Sequence, residues 1–185
     1  MNIAVVGGGV FGSTVSWYLA KSGLNVDLYE KEDDIFKAAS GINQYRIHRG
    51  YHYPRSIETM LTCKKGEIEF REVYNECVID SAIEHYYCIA KKGSLISSEE
   101  CSNAWDNCGL NYTISSPQIT KESALSESFK VSENLFDYTK LKSIILNKIK
   151  KYDVNLKLNS LVNYNDLKEY DKIVIATYSN NNFFL

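Results

Sequence analysis

The first thirty residues contain the feature that most constrains the fold. A short apolar run rich in β-branched residues, Asn2–Val6, predicts a buried strand. Three consecutive glycines follow, and Gly7, Gly9 and Gly12 have the spacing G-x-G-x-x-G. A helical pattern comes next, and a second strand pattern leads to Glu30. A strand, a glycine turn, a helix, a strand and an acid in this order predict a β–α–β unit that binds a dinucleotide.

Each glycine of this loop has its own expected role. Gly7 allows the tight turn out of the strand, Gly9 lets a pyrophosphate approach the backbone, and Gly12 lets the helix pack closely on the strand. The N terminus of the helix presents unpaired N–H groups and the positive end of its dipole to the phosphates. Glu30 is expected to accept hydrogen bonds from ribose hydroxyls. The combination of these parts favours dinucleotide binding over a glycine-rich turn in an ordinary α/β unit.

Composition limits the other possibilities. The chain has 185 residues, of which 44% are apolar and only two are proline, so it is long enough for one packed domain with a small insertion. A formal net charge of −2 argues against a nucleic-acid partner. The five cysteines show no metal-like spacing, which favours reduced thiols in a cytoplasmic protein without a metal site. No apolar run has the length of a membrane span.

A second unusual stretch covers residues 44–55. It contains three arginines, two histidines and three tyrosines within twelve positions. One interpretation is a polar surface loop whose long side chains lie along the protein. The other is a site for an anionic or planar ligand, which the density of rings and cations and the position after the nucleotide motif favour.

The middle of the chain has a different character. Residues 56–74 predict a helix with apolar positions at Ile57, Met60, Leu61, Ile68 and Phe70. Residues 85–90 and 94–97, separated by a glycine turn, predict an antiparallel hairpin, and a short helix over 99–107 and a strand over 112–115 follow. We therefore predict an inserted substrate-type subdomain over residues 74–130, between two parts of a cofactor domain at 1–73 and 131–185.

From Asp137 the α/β pattern returns. An apolar stripe of Leu141, Ile144, Ile145, Leu146 and Ile149 predicts an amphipathic helix with Asp137 as its N-cap. Strands are expected over residues 154–158 and 161–164. The continuous apolar run at residues 172–176 predicts a central strand that is covered on both faces.

This order of parts resembles the amino-acid oxidase (DAO) family of FAD-dependent oxidoreductases. The N-terminal motif is similar to that family's FAD fingerprint. Residues 39–53 resemble the loop that in this family runs past the pyrophosphate towards the flavin ring, and residues 172–177 resemble a later strand that ends in Ala-Thr-Gly. Here Tyr178 stands where the family has that glycine.

The resemblance implies a Rossmann-like α/β domain with a parallel sheet, FAD as the cofactor, and oxidation of a C–N or C–O bond of a small amine, amino acid or hydroxy acid by hydride transfer to flavin N5. It implies the cofactor contacts Gly7, Gly9, Val10, Phe11, Gly12, Glu30, Lys31, Ser40, Asn43, Ala176 and Thr177, with the backbone of Leu161 or Val162 on the adenine. Four side chains are candidates to steady the reduced flavin or a substrate carboxylate: Arg46, His48, Arg49 and His52.

Members of the family are considerably longer than this chain, which is similar to their N-terminal portion. We therefore expect a missing C-terminal half or a partner chain beside a small-molecule substrate, with no nucleic acid. Two alternatives stay open. One is an NAD-linked dehydrogenase, which the lack of a regular βαβ ladder after Glu30 disfavours. The other is a catalytically silent dinucleotide-binding fragment or subunit, which Tyr178 favours.

Overall fold

The fold is described from a computed structural model, for residues 1–80 and 83–184. The chain divides into two compact units. The first combines Met1–Gln44 with Tyr138–Leu185, and the second is Tyr45–Asp137. In sequence the second unit therefore interrupts the first.

Four α-helices and ten strands make up the two units, apart from short 3-10 turns. The helices are α1 (Val10–Lys21), α2 (Ile57–Tyr74), α3 (Ser98–Asn107) and α4 (Tyr138–Lys151). The strands are β1 (Asn2–Val6), β2 (Asn25–Tyr29), β3 (Arg46–Ile47), β4 (Val78–Ile79), β5 (His85–Ala90), β6 (Tyr112–Ile114), β7 (Leu125–Val131), β8 (Asn134–Phe136), β9 (Asn155–Lys157) and β10 (Lys172–Ile175). These counts refer to the part of the chain described.

The first unit contains a four-stranded parallel sheet in the order β10-β1-β2-β9. Strand β1 lies between β10 and β2, with Val5 opposite Val174 on one side and Leu28 on the other. Its residues from Ile3 to Val6 are buried, as expected for a doubly covered strand. The predicted α/β class with a parallel sheet is confirmed.

The prediction that residues 172–176 form a central strand is wrong for the described sheet. Strand β10 pairs only with β1 and lies at the sheet edge, and Ile173, Val174 and Ile175 are only half-buried. An apolar run indicates burial of the side chains but does not tell which neighbours a strand has.

The helical pattern places Phe11, Val15, Tyr18 and Leu19 on one apolar face, but α1 packs on the sheet with a different face. Its buried residues are Gly12, Ser13, Ser16 and Trp17, whereas the ring of Phe11 is 81% exposed. Small side chains bring the helix axis close to the strands, so this helix is held by close approach rather than by an apolar stripe. Helix α4 follows its prediction better, because Leu141, Ile145 and Ile149 are buried.

The other face of the sheet is covered by residues that follow β9. Leu167 is fully buried against Ala4 and Val6, and Val162 packs on the same cluster. A strand predicted over residues 161–164 is absent from this described region. Asn163 instead begins a 3-10 helix, Tyr164–Leu167, by accepting the N–H of Asn165 with its side chain.

The second unit contains two three-stranded antiparallel sheets, β3-β8-β4 and β5-β7-β6. Among the described residues, its core contains Trp105 and eight buried residues around it: Tyr51, Met60, Cys101, Ala104, Cys108, Leu110, Phe129 and Val131. The predicted hairpin between residues 85–90 and 94–97 is wrong. Strand β5 pairs with β7 instead, His85 opposite Val131, and Leu95 is 79% exposed.

The second unit begins earlier in the chain than the insertion predicted at residue 74. Helix α2 belongs to it, because Met60 contributes to the core around Trp105. Ser56 caps this helix by accepting the N–H of Thr59. Several apolar residues predicted to form the inner face, among them Ile57, Leu61 and Ile68, are exposed, while Glu67 is buried.

All five cysteines are free thiols. Within residues 1–80 and 83–184, no helix has the length and apolar character needed to cross a membrane.

Candidate cofactor-binding site

The glycine loop leaves β1 by a turn that only glycine fits. Gly7 has a φ of +107°, and a Cβ at this position would lie 2.5 Å from the carbonyl oxygen of Ala176. The N–H of Gly7 donates to the carbonyl of Tyr29 at 2.8 Å, and the N–H of Ala176 donates to the carbonyl of Val6. The loop is therefore fixed between the ends of β2 and β10.

Gly12 is required by the fold itself. A Cβ there would lie 2.0 Å from the carbonyl oxygen of Gly7 and 3.2 Å from the Cβ of Ala176. Real Cβ atoms do not tolerate such distances, so α1 reaches this position against the loop only with glycine.

Gly9 differs from both. It is the N-cap of α1 with φ −71° and ψ 177°, a conformation open to any residue. A Cβ on Gly9 would meet only the Oγ of Ser40, at 3.2 Å, and that hydroxyl would have to shift by a few tenths of an ångström. The protein has little internal need for a glycine here, so its presence points to something outside the chain that approaches the backbone.

The N terminus of α1 is suited to an anion. Gly9 offers no capping side chain, and the first turn contains no acidic residue, among the residues described. The N–H of Val10 donates to the Oγ of Ser40 at 3.0 Å. Backbone N–H groups at the positive end of the helix dipole, with no carboxylate in the first turn, are suited to bind a phosphate.

Glu30 lies where the ribose of a dinucleotide is expected. It is buried, its Oε2 accepts the N–H of Gly8 at 2.7 Å, and its Oε1 accepts the N–H of Glu32 at 3.0 Å. The two backbone bonds hold the carboxylate in place beside the loop. Each carboxylate oxygen can accept a further bond, so both can also take ribose hydroxyls.

The loop from Ser40 to Asn43 is held by bonds of its own. Asn43 donates through Nδ2 to the carbonyls of Ala39 and Ser40, and a Cβ on Gly41 would lie 2.2 Å from the carbonyl of Phe36. Lys31 lies at the surface with its Nζ 3.5 Å from a carboxylate oxygen of Glu32. Ser40 thus contacts the glycine loop, whereas the Asn43 amide donates within its own turn. Lys31 lies beside Glu32.

The remaining cofactor candidates follow β9 and β10. The N–H of Ser160 donates to the carbonyl of Glu30 at 2.8 Å, so the segment before Leu161 lies next to the acid. The Leu161 side chain is 77% exposed, while Val162 is partly buried. Thr177 donates through N and Oγ1 to the Oδ1 of Asn181. These candidates, the glycine loop and Glu30 all belong to the first unit.

The four candidates of the basic loop belong to the second unit, where the two arginines have internal partners. Arg46 bonds through Nη2 to a carboxylate oxygen of Glu133 and to the hydroxyl of Tyr87. Arg49 donates through Nε to Glu67 at 2.5 Å and through its own backbone N–H to Glu133 at 3.0 Å.

Glu133 is the centre of this network. Its side chain is fully buried and also accepts the hydroxyl of Tyr87 at 3.1 Å. Burial alone would raise the pKa of Glu133, but His48, the N–H of Arg49 and the Arg46 guanidinium outweigh it and lower the pKa to about 2. Glu133 therefore remains a carboxylate at neutral pH.

The histidines are less constrained. His48 Nδ1 lies 3.8 Å from a carboxylate oxygen of Glu133, which is beyond hydrogen-bonding distance. This nitrogen atom is buried and has no hydrogen-bond partner among the described residues. His52 is exposed, and its ring centroid lies 5.2 Å from that of Tyr53 and 6.0 Å from that of His48.

Sequence reasoning missed the two buried acids of this network. Glu67 accepts from Arg49 and also from Arg71, whose Nη2 reaches Asn134 at 2.9 Å. The only sequence signal was the number of arginines in the loop, because arginines that become partly buried need anionic partners.

Comparisons with known proteins identify a family. A family model described as FAD dependent oxidoreductase (DAO) matches residues 2–112. The FAD-dependent monooxygenase kojA of Aspergillus flavus is 31% identical over 130 residues, which are 70% of this chain and 29% of that protein.

Two solved structures show a similar fold. One is glycine oxidase from Geobacillus kaustophilus, with a TM-score of 0.64 at 16% identity over 86% of this chain and 47% of that one. The other is L-alpha-glycerophosphate oxidase from Mycoplasma pneumoniae with FAD bound. It has a TM-score of 0.64 at 16% identity, over 87% of this chain and 45% of that one. The chain thus spans less than half of the length of each of these three relatives.

The family match covers more than half of the chain and includes the glycine loop, Glu30 and the basic loop. The predicted family and its cofactor, FAD, are confirmed at this level. The chain belongs to the DAO family of FAD-dependent oxidoreductases.

Proposed function

We propose that the first unit binds FAD along the carboxyl edge of its sheet and serves the oxidation of a small amine, amino acid or hydroxy acid. The observation that carries this proposal is Gly9. It has an ordinary backbone conformation, and a Cβ there would meet only the Oγ of Ser40, so its lack of a side chain is explained by a ligand that lies against it.

Different residues of the site would bind different parts of the cofactor. The N terminus of α1 and the backbone at Gly9 would take the pyrophosphate, and Glu30 would accept the ribose hydroxyls of the adenosine half. The backbone beside Leu161 would border the adenine, because Ser160 is bonded to Glu30. Ala176 and Thr177 border the loop from the other side.

When bound, FAD supplies the acceptor for the hydride that leaves the substrate carbon. Within this chain we propose His48 and His52 as the loop residues that meet a substrate or move a proton, because Arg46 and Arg49 already bond to buried carboxylates. The arginines would then act by holding the loop in shape.

The test is an FAD titration of the parent protein and of Gly9→Val. A branched side chain suits the backbone at Gly9 but would fill the space of the pyrophosphate, so binding is expected to be lost while the melting temperature changes little. Gly66→Val is a matched control, because nothing lies within 4 Å of a Cβ there. Unchanged affinity for FAD in Gly9→Val would contradict the proposal.

A second candidate function is FAD binding without catalysis by this chain. It is favoured by the internal neutralisation of Arg46 and Arg49, which leaves fewer charges to orient a substrate. Anaerobic mixing of the FAD-loaded protein with D- and L-amino acids and glycerol 3-phosphate separates the two candidates. Bleaching of the flavin supports oxidation, and retention of the oxidised spectrum with every substrate supports binding alone.

A further inference from the structure

Tyr178 has a backbone conformation that is unusual for its residue type. Its φ is +55°, in the left-handed region that glycine adopts easily and that side chains with a Cβ disfavour. The residue nevertheless carries a large ring, which is 82% exposed. Among the described residues, neither the core nor a capping bond explains a tyrosine here, so the fold bears a conformational cost for an exposed ring.

The turn that holds Tyr178 is fixed on both sides. Before it, the N–H of Ala176 donates to Val6, and the Ala176 carbonyl packs on Gly7. After it, Asn181 accepts the N–H and the hydroxyl of Thr177 with its Oδ1. The ring of Tyr178 therefore starts from a backbone that lies next to the glycine loop.

The strand order tells which half of a dinucleotide lies on this side. Strand β1 is flanked by β2, which leads to Glu30, and by β10, which leads to Tyr178. A dinucleotide in the crevice at the carboxyl ends of these strands has its pyrophosphate at the loop after β1. If Glu30 takes the adenosine ribose, the other half must extend past β1 towards the end of β10.

We propose that Tyr178 is a cofactor-contacting residue whose ring packs against the flavin-bearing half of FAD. The inference rests on the proposed FAD binding and deepens it, because it assigns a residue to the half of the cofactor that Glu30 does not reach. An exposed, planar, electron-rich ring suits an aromatic or ribityl surface better than a phosphate.

The experiment measures the affinity of the parent protein, Tyr178→Gly and Tyr178→Phe for FAD and for ADP by calorimetry. ADP carries the adenosine half and the pyrophosphate alone, and so serves as the matched ligand control. We expect Tyr178→Gly to weaken FAD binding about fivefold to tenfold, with ADP binding unchanged. Tyr178→Phe keeps the ring and should bind FAD within about twofold of the parent.

A melting curve separates a lost contact from a damaged fold. Glycine suits a φ of +55°, so Tyr178→Gly should melt no lower than the parent protein. Equal or tighter FAD binding by Tyr178→Gly would overturn the proposal, as would a parallel loss of ADP affinity or an equal loss in Tyr178→Phe. Failure of the parent protein to bind either ligand would instead overturn the proposed function, and the inference with it.

Discussion

The glycine loop of the first unit and the basic loop of the second unit both stand out in the sequence, but the structure treats them differently. In the glycine loop, the fold gives Gly9 little internal reason to be a glycine, and as the N-cap of α1 it offers no capping side chain. In the basic loop, Arg46 and Arg49 bond to Glu133 and Glu67. A glycine that the fold does not require indicates a ligand, whereas an arginine that is paired with a buried carboxylate indicates a structural role.

The largest effect on stability is expected at Glu133, the centre of the network in the second unit. Glu133→Gln removes a buried charge and leaves Arg46 without its carboxylate partner, which should lower the free energy of unfolding of this unit by about 3–5 kcal/mol. Urea unfolding can follow Trp105 alone in a Trp17→Phe background, since the chain has two tryptophans. The exposed Glu122→Gln is the matched control. A loss below 1 kcal/mol would mean that the network is not structural.

The same hub predicts the response to acid. The folded pKa of Glu133, about 2, lies below its ordinary value of 4.5, so its stabilisation is complete above pH 4.5 and is lost as the pH falls towards 2. The difference corresponds to about 3 kcal/mol. The free energy of unfolding, measured by Trp105 fluorescence, should fall more steeply with decreasing pH for the parent protein than for Glu133→Gln. Identical pH dependences would contradict the assignment.

Alanine at two glycines should separate fold from ligand in the first unit. Gly12→Ala forces a Cβ to 2.0 Å from the Gly7 carbonyl and should destabilise the unit by about 1–3 kcal/mol. Gly9→Ala should leave the melting temperature nearly unchanged and weaken FAD binding. Equal stability losses in both variants would remove the argument that Gly9 is kept for a ligand.

A smaller effect is expected from Arg49→Lys. Lysine keeps the charge but cannot make the bonds to Glu67 and to the Ser132 carbonyl together, which should cost about 1 kcal/mol. If the arginine instead faces a substrate, as the sequence suggested, the rate of flavin reduction should fall far more than the stability. Stopped-flow reduction beside a melting curve of the same variant distinguishes the two roles.

The sequence was most informative where the determinants of structure are local. The strand, glycine turn, helix and acid of residues 2–30 occur within one short stretch, and the structure has each of them in that order. The pairing of β5 with β7 was missed because the partner lies about forty residues away, beyond a helix and another strand. A glycine turn after Ala90 suggested a nearer partner that the chain does not use.

Charges were harder to interpret than glycines. A glycine in a loop restricts what can surround it, whereas an arginine in a sequence gives no indication of its partner. Glu133 lies in a polar stretch between β7 and β8, and nothing in that stretch distinguishes a buried hub from a surface carboxylate. The buried face of α1, made of Gly12, two serines and Trp17, was missed for a similar reason, because close approach through small side chains leaves no apolar stripe.

The central claim is that the first unit of this chain holds FAD against Gly9. The most direct measurement is the visible absorption spectrum of the protein peak after gel filtration in FAD-containing buffer, for the parent protein, Gly9→Val and Gly66→Val. We predict excess flavin absorbance with the parent and with Gly66→Val, equimolar with the chain at saturating FAD, and none with Gly9→Val. Folded parent protein that carries no excess flavin, or equal flavin on Gly9→Val, would contradict the account.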